Sequence, residues 1–260
     1  MFAIDQMPHN MRKIIIKILF LVDSILSLLK IPRGTFLWKV NGVLLRNLKT
    51  DRAKIDGHII HLDSRDSLGA SLVEHEPKIR RLLKENIKQG DIVVDIGANI
   101  GYHTLLMAKL VGPKGKVYAF EPEKENFELL KKNIERNGYQ NVVLVNKGLG
   151  EKEGVLTLYL NPKNKAGHSV FHQHSHWGRQ EIEITTLDDF LPKNTKVDLI
   201  KMDIEGAEYA AIKGMRRVLS ENNVKVISEF CEETVPLAFR DLGFNVLEPC
   251  KNNLFCFKYV

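Results

Sequence analysis

The chain has 260 residues and a mass of 29.7 kDa, with 44% apolar and 27% charged residues. That is enough to bury a core, and it excludes a disordered, collagenous or disulfide-built protein. The net charge of +6 first points to nucleic acid or another anionic surface, but residues 1–60 hold 10 Lys/Arg against 4 Asp/Glu, whereas residues 61–260 hold 28 of each. The whole excess sits at the N-terminus, and the main body has no net positive charge with which to line a nucleic-acid groove.

In chain order, the first feature is the run 14–29, IIIKILFLVDSILSLL, interrupted by Lys17 and Asp23. As a helix it spans about 24 Å, short of the roughly 30 Å hydrocarbon core of a bilayer, so it is not predicted to cross one. The Lys30-Ile31-Pro32 segment after it lacks the small residues of a signal-peptide cleavage site. Wound at about 100° per residue, Arg12, Lys13, Lys17, Asp23, Ser24, Ser27 and Lys30 share one side, and Ile14, Ile15, Ile18, Leu21, Val22, Ile25, Leu26 and Leu29 the other. Such an amphipathic helix fits an anionic membrane surface contacted through residues 12–30, which would make a cytoplasmic protein peripheral on the inner face of a membrane. It equally fits packing on the main domain or on a second subunit in a homodimer. Residues 35–45 and 54–62 are expected to be two short strands. Residues 1–62 thus read as an N-terminal helical/β extension, and 63–260 as the main domain. A helix is expected over 66–89, ended by Gly90.

From Asp91 onward strands and helices alternate. Strands are predicted at 92–96, 116–120, 142–145, 197–202, 224–230, 244–247 and 254–259. Helices are predicted at 102–111, 123–137, 207–219 and 233–242, and a hairpin-like insertion at 155–160 and 181–186. The pattern means an α/β fold of Rossmann-like type, with a mostly parallel sheet and an antiparallel last strand. Cys231, Cys250 and Cys256 have no CxxC spacing and lie in late apolar segments, as reduced core residues do.

Sheets of this kind bind ligands beyond the carboxyl ends of their strands. The turn after the first parallel strand is Asp95-Ile96-Gly97-Ala98-Asn99-Ile100-Gly101, where the two glycines are expected to let the backbone approach a ligand. Glu121, in Phe120-Glu121-Pro122, ends the second parallel strand, where a carboxylate can accept both hydroxyls of a ribose. Gly-x-x-x-Gly replaces the Gly-x-Gly-x-x-Gly of dinucleotide sites, and Asp95 would repel a pyrophosphate. The same acid suits a ligand carrying an ammonium and a sulfonium, so the loop favours S-adenosylmethionine over NAD.

These residues, with Lys201-Met202-Asp203-Ile204-Glu205-Gly206-Ala207-Glu208, Glu76-Pro77 and Thr186-Leu187-Asp188-Asp189, resemble the FkbM family of S-adenosylmethionine-dependent methyltransferases. The resemblance implies a seven-stranded methyltransferase sheet and methyl transfer to a hydroxyl of a sugar, glycolipid or related small molecule. It also implies cofactor contacts at Asp95, Gly97, Ala98, Asn99, Gly101, Tyr102, Glu121, Pro122 and Asp203. The N-terminal helix lies outside the pattern.

Methyl transfer to an alcohol needs in-line positioning and a base for the hydroxyl proton. Lys201, Asp203 and Glu205 gather at the end of the fourth parallel strand, and His168 in the polar insertion offers a neutral imidazole; these four are the catalytic candidates, Glu205 being the best placed for an acceptor hydroxyl. Glu208 reads as a helix N-terminal acid and Asp188 and Asp189 as caps. His172, His174 and His176 could share a strand face and bind zinc, but no acidic or cysteine ligand lies nearby in sequence, so no metal is expected. Two other functions compete. A nucleic-acid methyltransferase is disfavoured because Asp203-Ile204-Glu205-Gly206 replaces the Asn/Asp-Pro-Pro-aromatic element that would hold a flipped base. A non-catalytic, membrane-associated cofactor-binding module leaves the acidic cluster unexplained.

Overall fold

The computed structural model describes residues 9–32, 35–48, 50–63, 74–162, 164–165, 167–171, 176–230, 232–250 and 253–258. It opens with two helices, α1 (His9–Leu28) and α2 (Phe36–Asn47). The strand expected over 35–45 is thus a helix: its apolar residues recur at helical spacing, with Phe36, Leu37, Val40, Val43 and Leu44 all on one side. The strand expected over 54–62 folds back on itself as β1 (Arg52–Ile55) and β2 (His58–His61), antiparallel about Asp56 (φ 50°) and Gly57 (φ 91°). An Asp-Gly pair with positive φ at both positions is a hairpin turn. Helix α3 (Pro77–Asn86) begins at its proline and ends before Ile87, shorter than the stretch expected to reach Gly90; residues 66–73 of that expectation lie outside the described residues.

The central sheet is built from β3 (Ile92–Ile96), β4 (Lys116–Phe120) and β5 (Val142–Val145), then β9 (Leu199–Met202), β10 (Lys225–Glu229), β11 (Asn245–Cys250) and β12 (Asn253–Phe257). Its order is β11-β12-β10-β9-β3-β4-β5, parallel throughout except β12, which runs antiparallel to β10 and β11. This is the predicted sheet. Between β5 and β9, strands β6 (Gly148–Leu149), β7 (Gly154–Leu160) and β8 (Gly178–Thr185) form a second small sheet in which β7 and β8 pair antiparallel, as expected of the insertion.

Strand alternation divides the core. Val93, Val117, Leu199 and Ile227 pack under α3 and α4 (Tyr102–Val111). Val94, Ile96, Ile200, Met202 and Val226 pack on the other face, against α7 (Glu208–Lys213), α8 (Arg216–Glu221) and α9 (Thr234–Asp241). Cys256 is buried there with a free thiol that burial pushes up to about 12; Cys231 lies outside the described residues. The single helix expected over 207–219 is two. Asp188, in the short α6 (Leu187–Phe190), donates its N–H to the Gly214 carbonyl, and its carboxylate accepts from Arg217 and Val218 N–H, capping α8 as a separate helix. Helix α5 (Lys124–Arg136) starts at a capping Glu123. It grips β2 through Asn133 and Asn137, whose amides bond both backbone groups of His61 and Ile59 respectively.

Candidate active site

The turn between β3 and α4 is held by backbone and carboxylate bonds. Gly97 and Ala98 N–H both donate to the Phe120 carbonyl, at 3.0 and 2.9 Å. Asn99, left-handed at φ 51°, donates its N–H to Glu121 Oε2 at 2.8 Å, while Glu121 Oε1 accepts from Glu123 N–H at 2.9 Å. Burial pushes the Glu121 carboxyl up to about 7, against the opposing pull of those two amides.

Both glycines are also required by the packing of the protein itself, and Gly97 lines the cavity described below. Gly97 has φ 79°, and a Cβ there would lie 1.9 Å from the Asp203 carbonyl oxygen. A Cβ on Gly101 would meet Leu130 Cδ1 at 2.8 Å. Both make room for protein: Gly97 locks the β3 turn against the loop after β9, and Gly101 starts α4 beside α5.

That loop carries the acidic cluster. Lys201 pairs with Asp95 across β9 and β3, and its Nζ sits 3.7 Å from Asp95 Oδ1, 3.6 Å from Asp203 Oδ2 and 3.3 Å from the Gly97 carbonyl. Asp95 Oδ2 accepts from Thr104 Oγ1 at 2.6 Å, while its buried Oδ1 has no hydrogen-bond partner. Burial favours a neutral amine, but Asp203, then Asp95, Glu76 and Glu229, outweigh it and hold Lys201 as an ammonium well above its usual range. Glu205 is left-handed at φ 52° and its carboxyl is pushed up to about 7 by burial and then by Asp203, Glu208 and Glu76. Glu208 accepts from the Ile204 and Gly206 N–H groups at 3.1 and 3.2 Å, so it pins the loop, as a helix N-terminal acid should.

Two carboxylates complete the cluster. Burial opposes ionisation of Glu76, but the hydrogen bond from His103 Nε2 at 2.8 Å, with Lys201 and His75, holds its carboxyl down at about 2. Burial, then Asp203, pushes Glu229 at the end of β10 up to about 8. Oxygens of Glu76, Asp203 and Glu229 fall within 4.8 Å of one another, a set able to hold a cation, and Lys201 already lies against it. No sequence motif pointed to Glu229, because only the strand order sets β10 beside β9.

A cavity of about 290 Å³ joins these parts, walled on its far side by Leu156, Leu158, Ile182 and Ile184 of the second sheet. Gly97, Ala98, Asn99, Tyr102, Glu121, Pro122, Lys201, Asp203, Glu205 and His168 all line it. Asp95 lies behind the turn, fully buried, and Gly101 at the start of α4 is not part of the lining. Asn126, a lining residue that sequence reasoning passed over, keeps its buried Oδ1 without a hydrogen-bond partner. The His168 Nδ1 accepts from Asn161 N–H at 2.9 Å, and burial lowers its pKa. His172 and His174 of the zinc arrangement lie outside the described residues.

The raised carboxyls carry a prediction. Glu121, Glu205 and Glu229 keep protons when folded at pH values where the unfolded chain has released them. The histidines His58, His61, His75 and His168, lowered by burial, act in the opposite sense up to about 6.5, so stability of the ligand-free protein should fall as pH rises from about 6.5 to about 8, measured by urea unfolding midpoints; a midpoint that climbs across that window would refute the assignment.

Known proteins share sequence with this chain. The model of the methyltransferase FkbM domain matches residues 95–254. Hexuronic acid methyltransferase AglP of Haloferax volcanii is 29% identical over 154 residues, 58% of this chain and 61% of that protein. Methyltransferase 1 of Beauveria bassiana is 29% identical over 161 residues, 54% and 64% of the two chains. The chain thus spans less than two thirds of the length of these relatives. A methyltransferase FkbM from Methylobacillus flagellatus aligns with 68% of this chain and 50% of its own, at 20% identity and a TM-score of 0.47. A SAM-dependent O-methyltransferase from Thermotoga maritima aligns with 82% of this chain and 87% of its own, at 14% identity and a TM-score of 0.48. With the family model covering more than half of its length, the chain belongs to the FkbM family of S-adenosylmethionine-dependent methyltransferases.

Proposed function

We propose that the protein methylates a hydroxyl of a sugar or related small molecule, with Glu205 as the general base. The observation that carries this is Glu205 itself, a half-buried carboxyl facing the cavity and pushed up to about 7, where it can accept a proton from a weakly acidic alcohol near neutral pH. Lys201 is held as an ammonium and has no lone pair to offer. His168 uses Nδ1 to accept from Asn161, so its neutral ring carries the proton on Nε2 and has no free lone pair with which to take a substrate proton. The hexuronic acid named for the Haloferax volcanii relative points to a sugar acceptor.

The residues fit the cofactor. Glu121 stands where it can accept from ribose hydroxyls, the orphaned Asn126 Oδ1 awaits a donor, and Asp203 offers a carboxylate to an ammonium. Bound S-adenosylmethionine supplies an electrophilic methyl group on a sulfonium sulfur. The chain's own part is to hold the acceptor oxygen in line with that methyl and to take its proton on Glu205. The second sheet's aliphatic wall keeps water from that side.

Incubation with S-adenosylmethionine and a panel of hexuronic acid and neutral glycans should yield S-adenosylhomocysteine and a product heavier by one methylene. No product from any hydroxyl acceptor overturns the proposal. Glu121→Ala should weaken S-adenosylmethionine binding at least tenfold by calorimetry, the loss expected for two hydrogen bonds to a charged group; unchanged affinity would remove Glu121 from the cofactor site.

A further inference from the structure

Helices α1 and α2 pack through Ile16, Leu19, Leu45 and Leu48, and their seam has a polar centre. Buried Asn41 donates from Nδ2 to the Leu19 carbonyl at 3.0 Å and to Asp23 Oδ1 at 2.6 Å. The side of α1 turned to α2 is therefore the one carrying its carboxylate, and its most apolar side faces outward. Met11, Ile14, Ile18, Leu21, Ile25 and Leu28 recur at steps of three and four along that side, all exposed, within an arc of about 100°. On α2, Phe36, Leu37, Val40, Val43 and Leu44 are exposed as well. Apolar surface on this scale marks an interaction face.

Charge identifies the occupant. Residues 9–48 contain seven Lys/Arg and a single acid, Asp23, and that acid is bonded to Asn41 inside the seam. Lys17, Lys30 and Lys39 are exposed. A second copy of the chain would bring the same positive face, with no outward carboxylate from these helices to meet it. An anionic bilayer meets both features, apolar side chains entering the acyl boundary and lysines pairing with headgroups. Among the described residues no helix is long and apolar enough to cross a membrane, which leaves α1 to lie along one. We propose that the outward faces of α1 and α2 dock this protein on anionic phospholipid bilayers, independently of the methyl-transfer chemistry.

The test is flotation of the full chain with vesicles of phosphatidylcholine containing about 30% phosphatidylglycerol, against phosphatidylcholine alone, at low and high salt. The expected result is co-flotation with anionic vesicles at low salt, at least tenfold weaker binding to neutral ones, and release by salt. Replacing Lys17, Lys30 and Lys39 together by glutamine should lower partitioning roughly a hundredfold, at about fivefold per basic residue. Ile18→Glu with Leu21→Glu should abolish it, while S-adenosylmethionine affinity shows both variants folded. Failure of the wild-type chain to float with anionic vesicles overturns the proposal, as does vesicle binding that the variants leave unchanged. So does a wild-type dimer that Ile18→Glu with Leu21→Glu dissociates in the absence of lipid binding, which would assign the face to a second copy.

Discussion

Replacing Glu205 with glutamine is expected to lower kcat roughly 10²–10⁴-fold, the usual contribution of a positioned general base, while S-adenosylmethionine binds as before. The substitution keeps the shape of the side chain and removes its ability to take a proton. It also separates two roles that geometry alone leaves together, since a residue that only shaped the acceptor site would raise KM and spare kcat. The pH profile supplies a second readout. A base must be ionised to act, and the Glu205 carboxyl is pushed up to about 7, so wild-type kcat should rise with pH through that value and then level. In Glu205→Gln the residual rate should lose this rise. A variant retaining more than a tenth of kcat with the rise intact would move the base to another group.

Lys201→Met is expected to destabilise the fold by about 3 kcal/mol, the lower end of the cost of removing one partner from a buried ion pair. The lower end applies because Asp203 keeps 27% of its side chain exposed, whereas Asp95 is fully buried. With the ammonium gone, Asp95 Oδ1 has neither a hydrogen bond nor a counter-charge. Adding Asp95→Asn should restore part of the loss, because the uncompensated buried charge disappears with it. Urea unfolding of the two variants measures both effects. A loss below 1 kcal/mol for Lys201→Met would mean that the cluster is solvated and that its charges do not organise the loop.

Much of this site could be read from the sequence because its parts sit at strand ends. Mostly apolar segments bounded by glycine or charge mark β3, β4, β5 and α4 to the residue, and the turn, Glu121 and the Lys201–Glu208 loop follow directly from them. Helix α2 could not be told from a strand by a short apolar run, since its amphipathic spacing shows only when Phe36 through Leu44 are wound at helical pitch. The packing of Gly97 was hidden as well: that its missing side chain admits the carbonyl of residue 203 depends on a loop about a hundred positions away. Glu229 and Glu76 enter the cluster through strand order and through a helix start, both properties of the assembled sheet. Asn126 is invisible for a related reason. It reads as the third residue of an ordinary capped helix until its Oδ1 is found buried without a donor.

The contact between Gly97 and the Asp203 carbonyl bears on how such an enzyme can change over time or by engineering. Two loops separated by about a hundred positions in the chain behave as a single interlocking part, with no slack for a methyl group between them. A graft that imports the first turn from another methyltransferase without its matching second loop should misalign Asn99 with Glu121 and Asp203 with Lys201 at once. Change in the shape of the chamber is then channelled to its β7–β8 wall, whereas the 167–171 segment is tied to the second loop by the bond from Ser169 Oγ to the Glu205 carbonyl at 3.0 Å.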